Sequence, residues 1–139
     1  MFLKIICNPP LMMGSLFLMA FSGSLFSISA QKTPEAPIRV KSWIEIREVS
    51  DQYTFTGKLI NYEELELSFD YRLKVVKQSP SGSSHTNQTG SVIALPGMVT
   101  QLSYNSINCN KDEKWEAILL IYYKHQMVAG DTIRNKEMR

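Results

Sequence analysis

A chain of 139 residues with 15 basic and 13 acidic side chains carries a formal charge of +2. That is too little for bulk attraction to nucleic acid or anionic lipid, which needs clustered Lys and Arg to neutralise many phosphates or headgroups. The length supports one hydrophobic core, and two histidines and two cysteines leave little material for a metal centre or a disulfide framework.

Lys4 is the only charge before Lys32, and between them lies the apolar run Leu16-Phe17-Leu18-Met19-Ala20-Phe21, followed by Ser22-Gly23-Ser24 and Ile28-Ser29-Ala30. A basic start, an apolar centre and a small residue before a cut predict a cleavable secretory leader over residues 1–30, exporting a mature chain that begins near Gln31 to the periplasm. The competing reading is an uncleaved anchor, since Leu11 to Ile28 approaches the roughly 18 apolar residues that cross a bilayer. Against it, Gly14, Ser15, Ser22, Gly23, Ser24 and Ser27 dilute the run, and no basic stop-transfer cluster follows. Cys7 precedes the apolar run, whereas a lipid-modified cysteine would follow it. Without Lys4 the mature chain has 15 − 1 = 14 basic and 13 acidic residues, near +1. Cys109 is then the single cysteine, which excludes an intramolecular disulfide; of a reactive thiol and a small, partly buried residue, the second is the preferred reading.

Pro34 and Pro37 among polar neighbours predict an extended lead-in over residues 31–39, ahead of a domain over 40–133. Val40, Ser42, Ile44 and Ile46 alternate with Lys41, Trp43, Glu45 and Arg47, a first strand that ends at Ser50-Asp51. A second strand follows in Tyr53, Phe55 and Leu59, with Gly57 marking a bulge or a close backbone approach. From Glu64 to Val76 the split is clean: Leu65, Leu67, Phe69, Tyr71, Leu73 and Val75 on one side, and Glu64, Glu66, Ser68, Asp70, Arg72 and Lys74 on the other. That predicts an antiparallel strand with one wet face, and no spacing of three and four residues gathers those side chains onto a helical stripe.

Gln78 to Gly90 is polar and rich in Ser, Gly and Asn, and is expected to be a long connection between strands. The short strand Val92–Leu95 closes on Pro96-Gly97. Val99–Ile107 is a further strand, Asn108–Glu113 a polar turn, and Trp115–Tyr123, apolar on both sides at its centre, a central strand. A tight turn near His125-Gln126 leads to a last strand, Met127–Ile133, and a charged tail over 134–139. Seven short strands with turn signals between them predict an all-β, immunoglobulin-like antiparallel β-sandwich.

Catalytic constellations are sparse. His85 and His125 have no second His, Cys or carboxylate at metal-ligand spacing, so no metal or cofactor is expected. Neither a Gly-rich phosphate loop nor a G-x-S-x-G elbow occurs, and no histidine neighbours Cys109 to lower its pKa. Glu63, Glu64 and Glu66 suggest paired carboxylates, but a solvated strand edge offers nothing to separate their pKa values. Asn87-Gln88-Thr89 matches a glycosylation acceptor, a short motif that chance supplies often. The chain is expected not to be an enzyme.

Tyr71-Arg72-Leu73-Lys74-Val75-Val76-Lys77, then Ser79-Pro80-Ser81-Gly82-Ser83-Ser84, then Asn87-Gln88-Thr89-Gly90, resembles the CsgH-like domain of curli assembly proteins, related in fold to CsgC. The similarity runs on through Leu95-Pro96-Gly97, Leu102-Ser103, Ile107-Asn108 and Trp115-Glu116-Ala117-Ile118-Leu119. It implies a small periplasmic immunoglobulin-like protein, not an enzyme, that keeps an amyloid-forming curli subunit soluble until secretion. The chain departs from the CsgC branch, whose two cysteines flank a single residue: Cys109 is followed by Asn110 and Lys111, which puts a redox role in doubt and leaves the chaperone role untouched.

For such a role the candidate client surface is the polar face of the long strand with its basic end, Arg72, Lys74 and Lys77, joined by Lys58 across the sheet. The same side chains also read as ordinary solubilising charges. The motif residues Ser81, Gly82, Ser83, Ser84, Gln88 and Gly90 read either as a client contact or, by preference, as a fixed crossing between sheets whose glycines supply special backbone angles. The implied partner is a transiently bound curli-type subunit, with the chain a monomer and no nucleic-acid or lasting membrane association. The alternative class is an exported adhesin, pilus-associated or envelope module that binds a stable partner through its strand edges.

Overall fold

The computed structural model describes residues 35–136; the leader expected over 1–30 and the end of the charged tail lie outside them. Seven strands follow in chain order: β1 (Val40–Val49), β2 (Gln52–Asn61), β3 (Leu67–Ser79), β4 (Gly82–Ala94), β5 (Val99–Asn108), β6 (Lys114–Tyr123) and β7 (Gln126–Arg134). All pairings are antiparallel, in a three-stranded sheet ordered β1-β2-β5 and a four-stranded sheet ordered β4-β3-β6-β7. The all-β sandwich expected from the alternating pattern is what forms.

The core lies between the sheets. Phe55 and Leu59 from β2, Phe69, Leu73 and Val75 from β3, and Trp115, Ala117, Leu119 and Ile121 from β6 are buried, and each large side chain fully removed from water contributes about 1.5–3 kcal/mol. Trp115 packs edge-on against Phe55 at 4.8 Å between centroids and lies 5.5 Å from Tyr53, which joins the two sheets. β6 is indeed central, flanked by β3 and β7, so both its neighbours are strands and its outward side chains are half-covered. Gly57 fulfils both readings offered for it. The β2–β5 register shifts between Thr56 and Lys58, and a Cβ at Gly57 would stand 3.2 Å from Leu119 Cδ1 across the sandwich.

Two hairpins turn on non-glycine residues with positive φ: Ser50 and Asp51 (48° and 62°) between β1 and β2, and Lys124 and His125 (48° and 67°) between β6 and β7. Paired left-handed angles match the right-handed twist of the flanking strands, at a cost for residues bearing a Cβ. The second turn thus sits one residue earlier than the sequence suggests, with Gln126 already paired to Tyr123.

Three sequence expectations change. The polar stretch Gln78–Gly90 is not a long connection. β3 runs on to Ser79, turns at Pro80-Ser81, and returns as β4 with Ser79 opposite Gly82 and Leu67 opposite Ala94; the expected short strand Val92–Leu95 is its end up to Ala94, with Leu95 already in the next connection. An edge strand obtains its order from main-chain bonds to one neighbour, so it needs no apolar face, and polarity alone did not signal a loop. The hairpin also stays within one sheet, so Gly82 and Gly90 do not serve a crossing; the chain changes sheet at 95–98. Finally, β3 begins at Leu67, and Leu65 is 72% exposed instead of facing the core.

Residues 62–66 leave the strand pattern, held by Asn61 at the end of β2. Its side chain is fully buried. Nδ2 donates to the carbonyls of Leu65 (2.8 Å) and Ala94 (3.0 Å), Oδ1 accepts from the Glu63 amide (2.8 Å), and its own carbonyl accepts from Gly97 N–H (2.7 Å). One polar side chain thus ties the β2–β3 and β4–β5 connections together, with its capacity used as burial demands.

Candidate functional site

The even-numbered residues of β3 point away from the core and form the outer face of the four-stranded sheet. Register places Thr89, Arg72, Leu120 and Gly130 in one row across β4, β3, β6 and β7, and Asn87, Lys74, Ile118 and Thr132 in the next. Leu120 and Ile118 are half-buried, and directly opposed residues stand about 4.5–5.5 Å apart at Cβ, so the Arg72 and Lys74 stems flank an apolar stripe while their charges reach water. Gly130 leaves that stripe uncovered on its other flank; a Cβ there would stand 2.9 Å from the Leu119 carbonyl oxygen.

The remaining charges on this face are engaged. Ser91 donates to Asp70, and Glu116 pairs with Arg134 at 3.4 Å. Among the described residues, no carboxylate lies within ion-pair distance of Arg72 or Lys74. The pair is a small positive field beside half-buried apolar surface, suited to attracting an acidic or polar chain weakly and reversibly.

The other two predicted cations stand elsewhere. Lys58 is on β2, in the opposite sheet, and is paired with Glu45 on that sheet's outer face. Packed sheets lie about 10 Å apart and turn their outer faces away from each other, so Lys58 cannot join Arg72. Lys77 has the parity of Val75 and closes the end of the sandwich. Its ammonium donates to the Asn108 carbonyl (3.0 Å) and lies 3.5 Å from Glu113 Oε1.

Of the motif residues, Ser81 is in the β3–β4 turn, Gly82 opens β4, and Ser83, Ser84, Gln88 and Gly90 lie within β4. Gly82 has φ of 145°, a backbone state reserved for glycine. Gly90 faces Tyr71, and a Cβ would come within 2.6 Å of its hydroxyl oxygen, so the ring lies over the glycine and replaces the missing side chain.

Nothing reactive gathers at Cys109, which is buried. Burial, and then the nearby Glu113 carboxylate, push its thiol above the ordinary range, the reverse of nucleophile activation. The Asn110 amide, donating to Glu113 Oε2 at 2.8 Å, holds the Glu113 carboxyl below its usual range. A cleft of about 380 Å³ near the start of β1 is lined by Glu35, Ile38, Arg39, Glu63, Leu65 and Tyr123. Arg39 is paired there with Glu63 (3.5 Å) and Glu35 with Lys124 (3.4 Å), and Glu64 also lines the cleft. No group that could hold a metal occurs among the described residues, nor does a helix long and apolar enough to cross a membrane.

Sequence reasoning missed Asn61 and Asp131. Asp131 on β7 accepts from the Ile44 amide of β1 at 2.8 Å, which closes one lateral seam of the sandwich. Neither role shows in a local pattern, because the Ala94 carbonyl that Asn61 reaches and the Ile44 amide that Asp131 meets are 33 and 87 positions away.

No family model matches the chain, and no curated protein matches it. Among solved structures it is similar to CsgH of R. palustris (16% identity, TM-score 0.53), with 66% of this chain and 90% of that one covered. It is likewise similar to the curli protein CsgC of E. coli (14% identity, TM-score 0.56), with 68% and 97% covered. A glycosyl hydrolase family 2 member from Bacteroides cellulosilyticus also superposes (6% identity, TM-score 0.50), over 68% of this chain but only 15% of that enzyme. The chain has the sandwich fold of CsgH and CsgC, across nearly the whole length of both.

Proposed function

We propose that this chain is a non-enzymatic periplasmic chaperone of curli assembly that keeps an amyloid-forming subunit soluble by transient contact. The observation that carries the reading is the likeness of its sandwich to CsgH and CsgC over 90% and 97% of their lengths; a match confined to one module of a larger protein would not favour it. The outer face of the four-stranded sheet supplies a physical means. Arg72 and Lys74 stand without ion-pair partners among the described residues, beside Ile118 and Leu120, where they can steer a client on and release it, since exposed charges raise encounter rates more than they add affinity. The leader expected over 1–30 supports export.

Thioflavin fluorescence of a curli-type subunit tests the role. The chain starting at Gln31 is expected to lengthen the lag at substoichiometric amounts, and added salt to shorten it again, because charges are screened beyond about 8 Å at physiological ionic strength. Arg72→Glu with Lys74→Glu is expected to weaken the effect, and Lys58→Ala, on the opposite face, to leave it unchanged. Lys77 is excluded from the variant because it closes the end of the core. No delay by the unaltered chain across several such subunits would refute the role. An isolable one-to-one complex with an envelope protein would instead support a structural module.

A further inference from the structure

The two lateral seams of the sandwich, where the edge strands of one sheet approach those of the other, are built differently. At the β1–β7 seam, β1 carries Lys41, Glu45, Arg47 and Glu48 and β7 carries Asp131 and Arg134, and the Asp131 carboxylate caps the Ile44 amide of the open β1 edge. Charges on an edge, and a side chain occupying its main-chain donor, are the devices by which sheets refuse an added strand. At the other seam neither β4 nor β5 carries a Lys, Arg, Asp or Glu. Among the described residues a side-chain bond joins them, Asn105 Nδ2 donating to Thr86 Oγ1.

β4 is the more open of the two. Among the described residues its only strand partner is β3, so its other edge presents main-chain donors and acceptors that no described strand pairs, along 13 residues. From Gly82 to Asn87 every residue is exposed whichever face it is on, so the second sheet leaves this arm of the hairpin in water, touching it at Thr86 through Asn105. In β5, buried Asn105 and half-buried Leu102, Ser103 and Ile107 alternate with exposed residues. Seven of the 13 residues of β4 are Ser, Thr, Asn or Gln. The side-chain oxygen of Gln88 on β4 and the hydroxyl of Ser103 on β5 are buried with no hydrogen-bond partner among the described residues.

We propose that the free edge of β4 is a strand-addition site for an extended, uncharged segment rich in Asn, Gln, Ser and Thr. Main-chain bonds supply affinity in this mode and alternate side chains supply selection. Amide side chains stacked between neighbouring strands form ladders, and an unpaired Lys or Glu in the incoming segment would meet no counter-charge on β4. The inference deepens the chaperone reading and rests on it for the identity of the biological strand: a subunit segment held on β4 has one edge occupied and is withheld from stacking on its own kind.

The probe is a capped, uncharged peptide in which Asn, Gln, Ser and Thr alternate with Val, added to the chain starting at Gln31, with amide hydrogen exchange read residue by residue. Exchange is expected to slow at alternate amides of β4, with those of β1 and β7 unchanged. The variant is His85→Lys with Ser91→Lys. Both side chains are on the outer face: position 91 lies opposite Asp70, so the lysine there meets a carboxylate, while position 85 lies opposite Val76, in the row that continues to the Glu116–Arg134 pair, and Arg72 and Lys74 themselves are unaltered. The added protection is expected to disappear in this variant while its thermal unfolding stays cooperative. Protection that persists in it, that falls on β5 or β1, or that is nowhere found would overturn the proposal. Protection of β4 that appears without peptide and rises with protein concentration would assign the edge to a second copy instead. A subunit assay without delay alongside peptide protection of β4 would remove the chaperone role and leave the site.

Discussion

Replacing Asn61 by Ala removes three side-chain hydrogen bonds, to the carbonyls of Leu65 and Ala94 and from the amide of Glu63, at 2.8, 3.0 and 2.8 Å. Each is worth roughly 0.5–1.5 kcal/mol net, which gives about 3 kcal/mol together. The stranded partners are main-chain groups that no substitution can remove, and the Ala94 carbonyl is buried with them. Asn61→Leu, of similar volume, should therefore cost about as much. For a domain of this size a loss of 3 kcal/mol lowers Tm by on the order of 15 °C. The assay is urea unfolding followed by tryptophan fluorescence, with an unchanged m value showing that the two states remain comparable. A loss below about 1 kcal/mol for both variants would refute the reasoning, because the two connections would then be anchored by something other than this side chain.

In β3, Phe69→Ala is expected to cost about 3–5 kcal/mol and Leu65→Ala under about 0.5 kcal/mol, by the same unfolding measurement; equal losses would place Leu65 back in the core. Asp51→Gly and His125→Gly should each stabilise by about 1 kcal/mol, since each relieves a positive φ carried by a residue with a Cβ; a lower Tm in either would contradict the hairpin geometry. Cys109 should resist alkylation in the native state at neutral pH and react on unfolding, as burial raises its thiol pKa; rapid native modification, followed by mass spectrometry, would reverse that assignment. Glu63 and Glu113 have folded pKa values below the ordinary carboxylate range, set first by the amides of Arg39 and Asn110. Their stabilisation is complete above the unfolded pKa of about 4.3 and is lost as pH falls through the lowered folded values. Glu113→Gln should flatten the acid limb of stability against pH, and an unchanged limb would count against it.

Alternation of apolar and polar residues by itself determined the all-β class, the seven strands, the inward face of β3 from Leu67 to Val75 and the central place of β6. Burial on one face of a strand has a period of two that is written locally. The turns at Ser50-Asp51 and Pro96-Gly97 and the two roles of Gly57 were equally legible, because glycine and turn residues report backbone geometry where they stand.

What only the tertiary structure decided are relations between residues far apart in the chain. β4 forms because β3 offers its main chain, so an edge strand exposed on both sides left no apolar signature in Gly82–Asn87. Leu65 continues the alternation of β3 but is drawn out by Asn61, whose partners come from two connections, Glu63 and Leu65 from one and Ala94 from the other. Lys58, Arg72, Lys74 and Lys77 read as one basic group in sequence, yet the sheet order sends Lys58 to the far face and strand parity turns Lys77 into the end of the core, leaving Arg72 and Lys74 together. The difference between a sealed β1–β7 seam and an open β4 edge arises the same way, from a carboxylate on Asp131 that meets an amide 87 residues earlier.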